Sequence, residues 1–134
     1  MSAGSRAVPA LQGAFYVATG LWPIVHLRSF EAVTGPKRER WLVKTTGALI
    51  AAGGVALLVG AGEPRSRATV ALGVGAALAL ATADVIYVAK RRISPVYLAD
   101  AAMELAVVIA WLASGGARSR SPEARAPLLL DAGA

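Results

Sequence analysis

The sequence predicts an all-α protein in which four transmembrane helices form an up-down bundle. Hydrophobic residues make up 56% of the 134 residues and charged residues only 16%, whereas ordinary soluble domains have about 45–50% and about 25%. A soluble domain of this length would bury too small a share of its chain to hide so much apolar surface. The sequence also contains four long apolar stretches, and a membrane-spanning helix needs about 20 mostly apolar residues.

Four spans and a tail follow in order along the chain. The predicted spans are 8–27, 42–61, 68–89 and 95–114, which make a membrane domain over 1–114 and leave 115–134 as a mobile tail. The first apolar stretch is longer than the core of a signal peptide, about 7–15 residues, and carries Trp22 and Pro23 where a cleavage site would lie. We therefore expect a retained helix. Ser94 and Pro95 form a typical helix start before the fourth span.

The net charge is +6, and the basic residues lie in short segments between the apolar stretches. Such segments contact lipid headgroups and set the orientation of a membrane protein. Nucleic-acid binding is not expected, because no basic face is interleaved with exposed aromatic residues. The first and third loops carry eight cations and the opposite side six, which favours both loops in the cytoplasm. The excess of arginine over lysine and the abundant alanine favour a bacterial cytoplasmic membrane as the location.

Three acidic residues lie inside the predicted spans, where a charge costs about 2.5–3.5 kcal/mol on insertion scales. Asp84 continues a face of small residues in the third span, so we expect it to point into the bundle. Asp100 and Glu104 are four residues apart and share one face of the fourth span. Because a short loop joins these spans, Asp84 and Asp100 are expected at similar depth, with Glu104 about one turn, or roughly 6 Å, deeper.

The first span adds polar groups on the same side of the membrane. Thr19, Trp22 and His26 share a helical face by their spacing. Pro23 cannot donate to the carbonyl of Thr19, which predicts a kink. The sequence thus predicts a polar pocket between the first, third and fourth spans. Its candidate residues are Thr19, Trp22, His26, Asp84, Asp100 and Glu104.

Other interpretations of these residues stay open. Asp84 and Asp100 lie within about two turns of their helix ends, where Arg28 or the basic segment 90–92 could hold them in structural ion pairs. Trp22 and His26 could be ordinary interface residues, and Glu104 could share a proton with Asp100. No metal is expected, because the chain lacks cysteine and the Glu-x-x-His motif of di-iron bundles. No cofactor is expected either.

The first loop is more apolar than an ordinary linker. Its candidate motif consists of Ser29, Phe30, Glu31, Thr34, Gly35, Pro36 and Lys37. Thr34, Gly35 and Pro36 predict a turn. The loop is expected to lie along the membrane interface or to fold under the bundle, and the alternative is a plain amphipathic connector.

Small residues offer faces for helix packing, because helices in lipid associate through close contacts between small side chains. In the second span, Ala52, Ala56 and Gly60 recur every four residues. In the third span, Gly73 and Ala77 begin the face that leads to Asp84. These two faces are the predicted helix contacts.

The chain resembles a family of small bacterial four-helix membrane proteins, similar in size and layout to the DoxX-like proteins. The resemblance lies in the loop motif with Trp41, the Trp22–Pro23 pair and the segment 93–98. The resemblance covers about residues 10–114 and not the tail. It implies the four-helix membrane fold and brings no activity or site residue to this chain. Small multidrug transporters are also short four-helix chains, but they depend on an acid in the first helix, which this sequence lacks.

These patterns predict an integral membrane protein that binds or transports a small molecule or a proton through the polar pocket. A protonatable acid in a cavity suits that role. The alternatives are a membrane enzyme on a lipophilic substrate, with a carboxyl as general acid and a carboxylate or His26 as base, and a structural accessory subunit of a membrane complex. The expected partners are the lipid bilayer, a small lipophilic ligand, and a second copy or other subunits. Signatures of phosphate loops, serine hydrolases and zinc proteases are absent.

Overall fold

The computed structural model describes residues 3–116, and these residues form only helices and their connections. The helices are α1 (Ala3–Val25), α2 (Leu27–Thr34), α3 (Arg40–Gly60), α4 (Arg67–Ala89) and α5 (Tyr97–Gly116). All except α2 are long and apolar enough to cross a membrane. The predicted all-α fold with four membrane-spanning helices is confirmed. Most of the predicted mobile tail, residues 117–134, lies outside the described residues.

The helix bounds differ from the predicted spans by at most two residues, except at the start of α1, where the difference is five. Helix α1 already begins at Ala3 and continues through Pro23. Helix α5 begins at Tyr97, two residues after the predicted start. Ser94 and Pro95 form a tight turn instead, in which the Ser94 carbonyl accepts from the Tyr97 amide at 3.1 Å and the Ser94 hydroxyl accepts from the Val96 amide at 3.3 Å.

The spanning helices associate chiefly as two pairs, α1 with α3 and α4 with α5. In the first pair, glycines let the two backbones touch. A Cβ atom added at Gly20 would lie 2.5 Å from the carbonyl oxygen of Gly47, and one at Gly54 would lie 2.6 Å from the carbonyl oxygen of Gly13. Such distances leave no room for a side chain, so glycine is required for this approach.

The predicted packing face of the second span is wrong at Ala52 and Ala56, and only its last residue, Gly60, lies at a close contact, with Thr69 of α4. Ala52 and Ala56 are exposed, whereas Gly47, Ala51 and Gly54 are buried against α1. An alanine-rich helix carries small residues on several sides, and the glycines that permit backbone contact decide which side packs. The predicted face of the third span is correct, because Ala77 is fully buried and the face continues to the buried Asp84.

The outer surface of the bundle is strongly apolar. Large side chains that are at least 66% exposed include Leu11, Val25, Leu49, Val59, Ile109 and Leu112. Monomeric soluble proteins rarely expose so much contiguous apolar surface, and lipid chains would cover it. The buried core consists of Tyr16, Leu57 and Trp111 with partly buried neighbours, so the centre of the bundle is aromatic and partly polar.

Candidate functional site

A cavity of about 650 Å³ separates the two helix pairs at the end where α2 and the loop between α4 and α5 lie. All five helices contribute to its lining. Its walls are mostly aromatic and aliphatic, with Phe15, Trp22, Phe30, Ile50, Leu80 and Met103 among them. The volume lies within the range of about 300–1,000 Å³ that is typical of small-molecule sites.

The three acidic side chains of the predicted pocket all line this cavity. Asp84 reaches it because the small face of α4 turns towards the bundle interior, and it is only 7% exposed. Glu104 is 1% exposed, and Asp100, one turn earlier on α5, is half-buried. The structure therefore brings together the carboxyl groups whose helical spacing predicted a common site.

The acidic side chains have no cationic partner in the described part of the chain. Within residues 3–116, the one ion pair closer than 4.0 Å joins Arg40 and Glu31. The structure thus does not show the ion pairs that a structural interpretation of Asp84 and Asp100 requires. Arg28 and the basic segment 90–92 are exposed instead.

Asp84 has an unsatisfied polar atom. Its Oδ2 is buried and finds no hydrogen-bond partner within residues 3–116. The carboxyl group of Asp100 lines the same cavity. However, ionised carboxylates are only hydrogen-bond acceptors, so the two groups cannot satisfy each other unless one carries a proton. A buried acceptor without a donor is unfavourable by about 1–3 kcal/mol.

A hydrogen-bonded layer closes the inner end of the cavity. We call Gln12, Tyr16, Glu104 and Trp111 the polar layer. Trp111 donates to Gln12 Oε1 at 2.8 Å, and Gln12 Nε2 donates to the Tyr16 hydroxyl at 3.1 Å and to the Gly73 carbonyl at 2.8 Å. The Tyr16 hydroxyl donates to Glu104 Oε2 at 2.7 Å. The donors are thus aligned towards Glu104, and such chains polarise one another.

The polar layer was largely missed by the sequence analysis. Trp111 is 5% exposed and packs on Gly73. Gln12 and Tyr16 are each 2% exposed. Two signals could have identified them. Gln12 is the sole side-chain amide in the sequence, and Tyr16 follows it by four residues, on the same helical face.

Thr19 and Trp22 line the cavity as predicted. The Thr19 hydroxyl donates to the Phe15 carbonyl at 2.8 Å within α1, so it can offer a ligand only its oxygen as an acceptor. The Trp22 indole donates to the Ser29 hydroxyl at 2.8 Å, and its ring meets Phe30 edge-on with 5.4 Å between centroids. Trp22 therefore connects the end of α1 to α2.

His26 does not join the acidic side chains. It is exposed, does not line the cavity, and lies at the break between α1 and α2. Its Nδ1 accepts from the Ser29 amide at 3.2 Å and so caps the start of α2. The helical spacing that placed His26 with Thr19 and Trp22 no longer applies, because α1 ends at Val25.

Helix α2 and the loop after it fold under the bundle. Phe30, Val33, Thr34 and Lys37 line the cavity, whereas Pro36 does not. Lys37 Nζ donates to the Thr34 carbonyl at 3.0 Å and lies 5.0 Å from the centre of the Tyr97 ring. The first loop thus covers one end of the cavity.

The backbone conformation of Gly35 and two contacts of Glu31 hold this loop in place. Gly35 has a φ of 90°, a conformation that favours glycine because it has no Cβ atom. Glu31 accepts from the Lys37 amide at 3.3 Å and pairs with Arg40 at 3.4 Å. The turn predicted around Gly35 therefore returns the chain from α2 to the start of α3.

The cavity combines apolar walls with a few convergent polar groups, which is the usual construction of a small-molecule site. Over residues 3–116, no group of three or more His, Cys, Asp or Glu side chains is placed to hold a metal ion. Comparison of the chain with protein-family models, curated proteins and solved structures finds no match.

Proposed function

We propose that this membrane protein binds a small lipophilic molecule in the cavity between the two helix pairs. If it is a transporter, this molecule is what it carries. One observation carries the proposal: three carboxyl groups converge in an apolar cavity of about 650 Å³. The unpartnered Oδ2 of Asp84 supports it further. A ligand with a hydrogen-bond donor would satisfy that atom, and its apolar part would replace water against the walls.

A proton is the second species that suits the cavity. Asp84 and Asp100 can hydrogen-bond to each other only when one of them carries a proton. A positively charged donor group that enters between them would replace that proton, which would leave to water. Ligand binding and proton release would then be linked, as a proton-coupled carrier requires.

We also propose a location in the bacterial cytoplasmic membrane and a relationship to the DoxX-like proteins. The excess of cations in the first and third loops supports an orientation with α2 in the cytoplasm. The four-span layout and the loop motif support the relationship. In this orientation the cavity lies in the cytoplasmic half of the bundle and could also serve as the contact site for a second copy or a larger complex.

A membrane enzyme is the second candidate, because the cavity holds carboxyl groups that could act as general acid and base on a lipophilic substrate. His26 lies outside the cavity and cannot be that base. Incubation of the protein with a lipid extract would separate the two roles. An enzyme would yield a product peak that is lost in Glu104→Gln, whereas a binder would leave the extract unchanged.

Ligand binding is tested directly with tritiated 1-naphthylmethanol, a neutral aromatic molecule that fits the cavity by size. Thr46 lines the cavity from α3, and Ala48, two residues later on the same helix, does not. In nanodiscs we expect saturable binding to the wild type, binding at least about tenfold weaker in Thr46→Trp because the new ring fills the cavity, and no change in Ala48→Trp. Equal binding in both variants would contradict the proposal.

A further inference from the structure

The charged side chains that line the cavity indicate which chemical class of ligand it binds. We propose that its ligand is a lipophilic amine in its ammonium form, with the ammonium group between Asp84 and Asp100 and the apolar body along the aromatic walls. This inference rests on the proposed binding function and adds the chemical class of the ligand.

The first support is the balance of charged groups in the lining. The lining contains three acidic side chains, Asp84, Asp100 and Glu104, and one basic side chain, Lys37. Lys37 is already engaged, because its Nζ donates to the Thr34 carbonyl and faces the Tyr97 ring, and it forms no ion pair with the acidic side chains within 4.0 Å. Buried charges in proteins are normally paired, so a bound cation would complete the site.

The second support is the unsatisfied oxygen of Asp84. Its side chain is 93% buried, lines the cavity, and has no donor for Oδ2 within residues 3–116. An ammonium group has several N–H donors and can serve Asp84 and Asp100 at once, which two carboxylates cannot do for each other. Glu104 already accepts from Tyr16, so we assign the ammonium primarily to the two aspartates.

The third support is the aromatic lining. Phe15, Tyr16 and Trp22 line the same cavity as the acidic side chains. Aromatic rings attract cations electrostatically and also accept an apolar ligand body. The same lining already holds one cation against a ring, Lys37 at Tyr97. A lipid with a phosphate or carboxylate head would instead meet like charges at the aspartates.

The test uses three molecules that share one aromatic body. They are 1-naphthylmethylammonium, 1-naphthylmethanol and 1-naphthoate, and their binding to the full chain in nanodiscs is measured at neutral pH. Because hydrogen bonds to charged groups are the strong ones, we expect the ammonium to bind at least about tenfold more tightly than the alcohol, with the carboxylate weakest.

The variant Asp84→Asn removes the charge and keeps the size of the side chain. We expect it to lose the preference for the ammonium while it binds the alcohol like the wild type, which also shows that the cavity is intact. Glu63→Gln is the matched control, because Glu63 is an exposed carboxylate in the turn between α3 and α4 and does not line the cavity. It should keep the full preference.

The outcomes separate this inference from the proposed function. If none of the three molecules binds saturably, the binding function itself fails. If the alcohol binds as tightly as the ammonium, binding stands and the inference of a cationic ligand is overturned. Tightest binding of the carboxylate would overturn it as well and would assign the ligand head to Lys37. A preference that survives in Asp84→Asn would remove Asp84 from the site.

Discussion

At the scale of single residues, helical spacing predicted the acidic side chains of the site but not their partners. Asp100 and Glu104 share a face because they are four residues apart on one helix, and this holds whatever the helix packs against. Gln12 meets Trp111 across 99 positions of the chain. That contact depends on how two helices are rotated towards each other, which no local pattern determines. The prediction that His26 joins the pocket is wrong for a local reason, because α1 ends just before this residue.

Gln12 should contribute measurably to stability because its buried side chain hydrogen-bonds to three buried residues, Tyr16, Gly73 and Trp111. In Gln12→Leu, the indole of Trp111 and the hydroxyl of Tyr16 lose a partner. We expect the free energy of unfolding in mixed micelles to fall by about 1–3 kcal/mol, since buried polar groups would be left unsatisfied. The control is Leu11→Ala on the lipid-facing surface, where Leu11 is 71% exposed. An equal effect of the two substitutions would contradict the role of the polar layer.

At the scale of helices, the number and approximate bounds of the spans followed from the apolar stretches, because a membrane requires length and apolarity. The side of α3 that packs could not be read in the same way, since alanines surround that helix. The packed side is the one on which glycines of α3 face glycines of α1, as Gly47 faces Gly20. Helix α2 was predicted only as a loop that could fold under the bundle, because its eight residues are too few to span.

The contact between α1 and α3 predicts opposite effects for two glycine substitutions. In Gly20→Ala, the added Cβ would lie 2.5 Å from the Gly47 carbonyl oxygen and 2.6 Å from the Ala51 nitrogen. The helices would have to separate, and we expect a loss of about 1–3 kcal/mol in the free energy of unfolding. Gly53→Ala, with nothing within 4 Å, should be neutral or stabilising by up to about 1 kcal/mol, since alanine favours helix. Reversible unfolding in mixed micelles measures both, and the opposite ranking would contradict the described packing.

At the scale of the whole molecule, two helix pairs meet at the polar layer and leave a cavity beside it. Gln12 and Tyr16 of the first pair hydrogen-bond to Gly73, Glu104 and Trp111 of the second pair. The sequence predicted a pocket from the first, third and fourth spans, and the structure adds walls from α2 and α3. The wall from α3 depends on the pairing of helices, which has no local signal, whereas the apolar first loop already indicated that α2 could fold under the bundle.

The central claim is that a ligand occupies this cavity beside the acidic side chains. The chain has no cysteine, so a single introduced cysteine reports on one position. Ala99 lines the cavity from α5, and Ala102 on the same helix does not. The measurement is the rate at which a water-soluble, cationic methanethiosulfonate reagent labels Ala99→Cys and Ala102→Cys, with and without saturating 1-naphthylmethanol. We predict that labelling of Ala99→Cys slows several-fold when the alcohol is present and that labelling of Ala102→Cys does not change. Equal labelling of Ala99→Cys with and without the alcohol would contradict the claim.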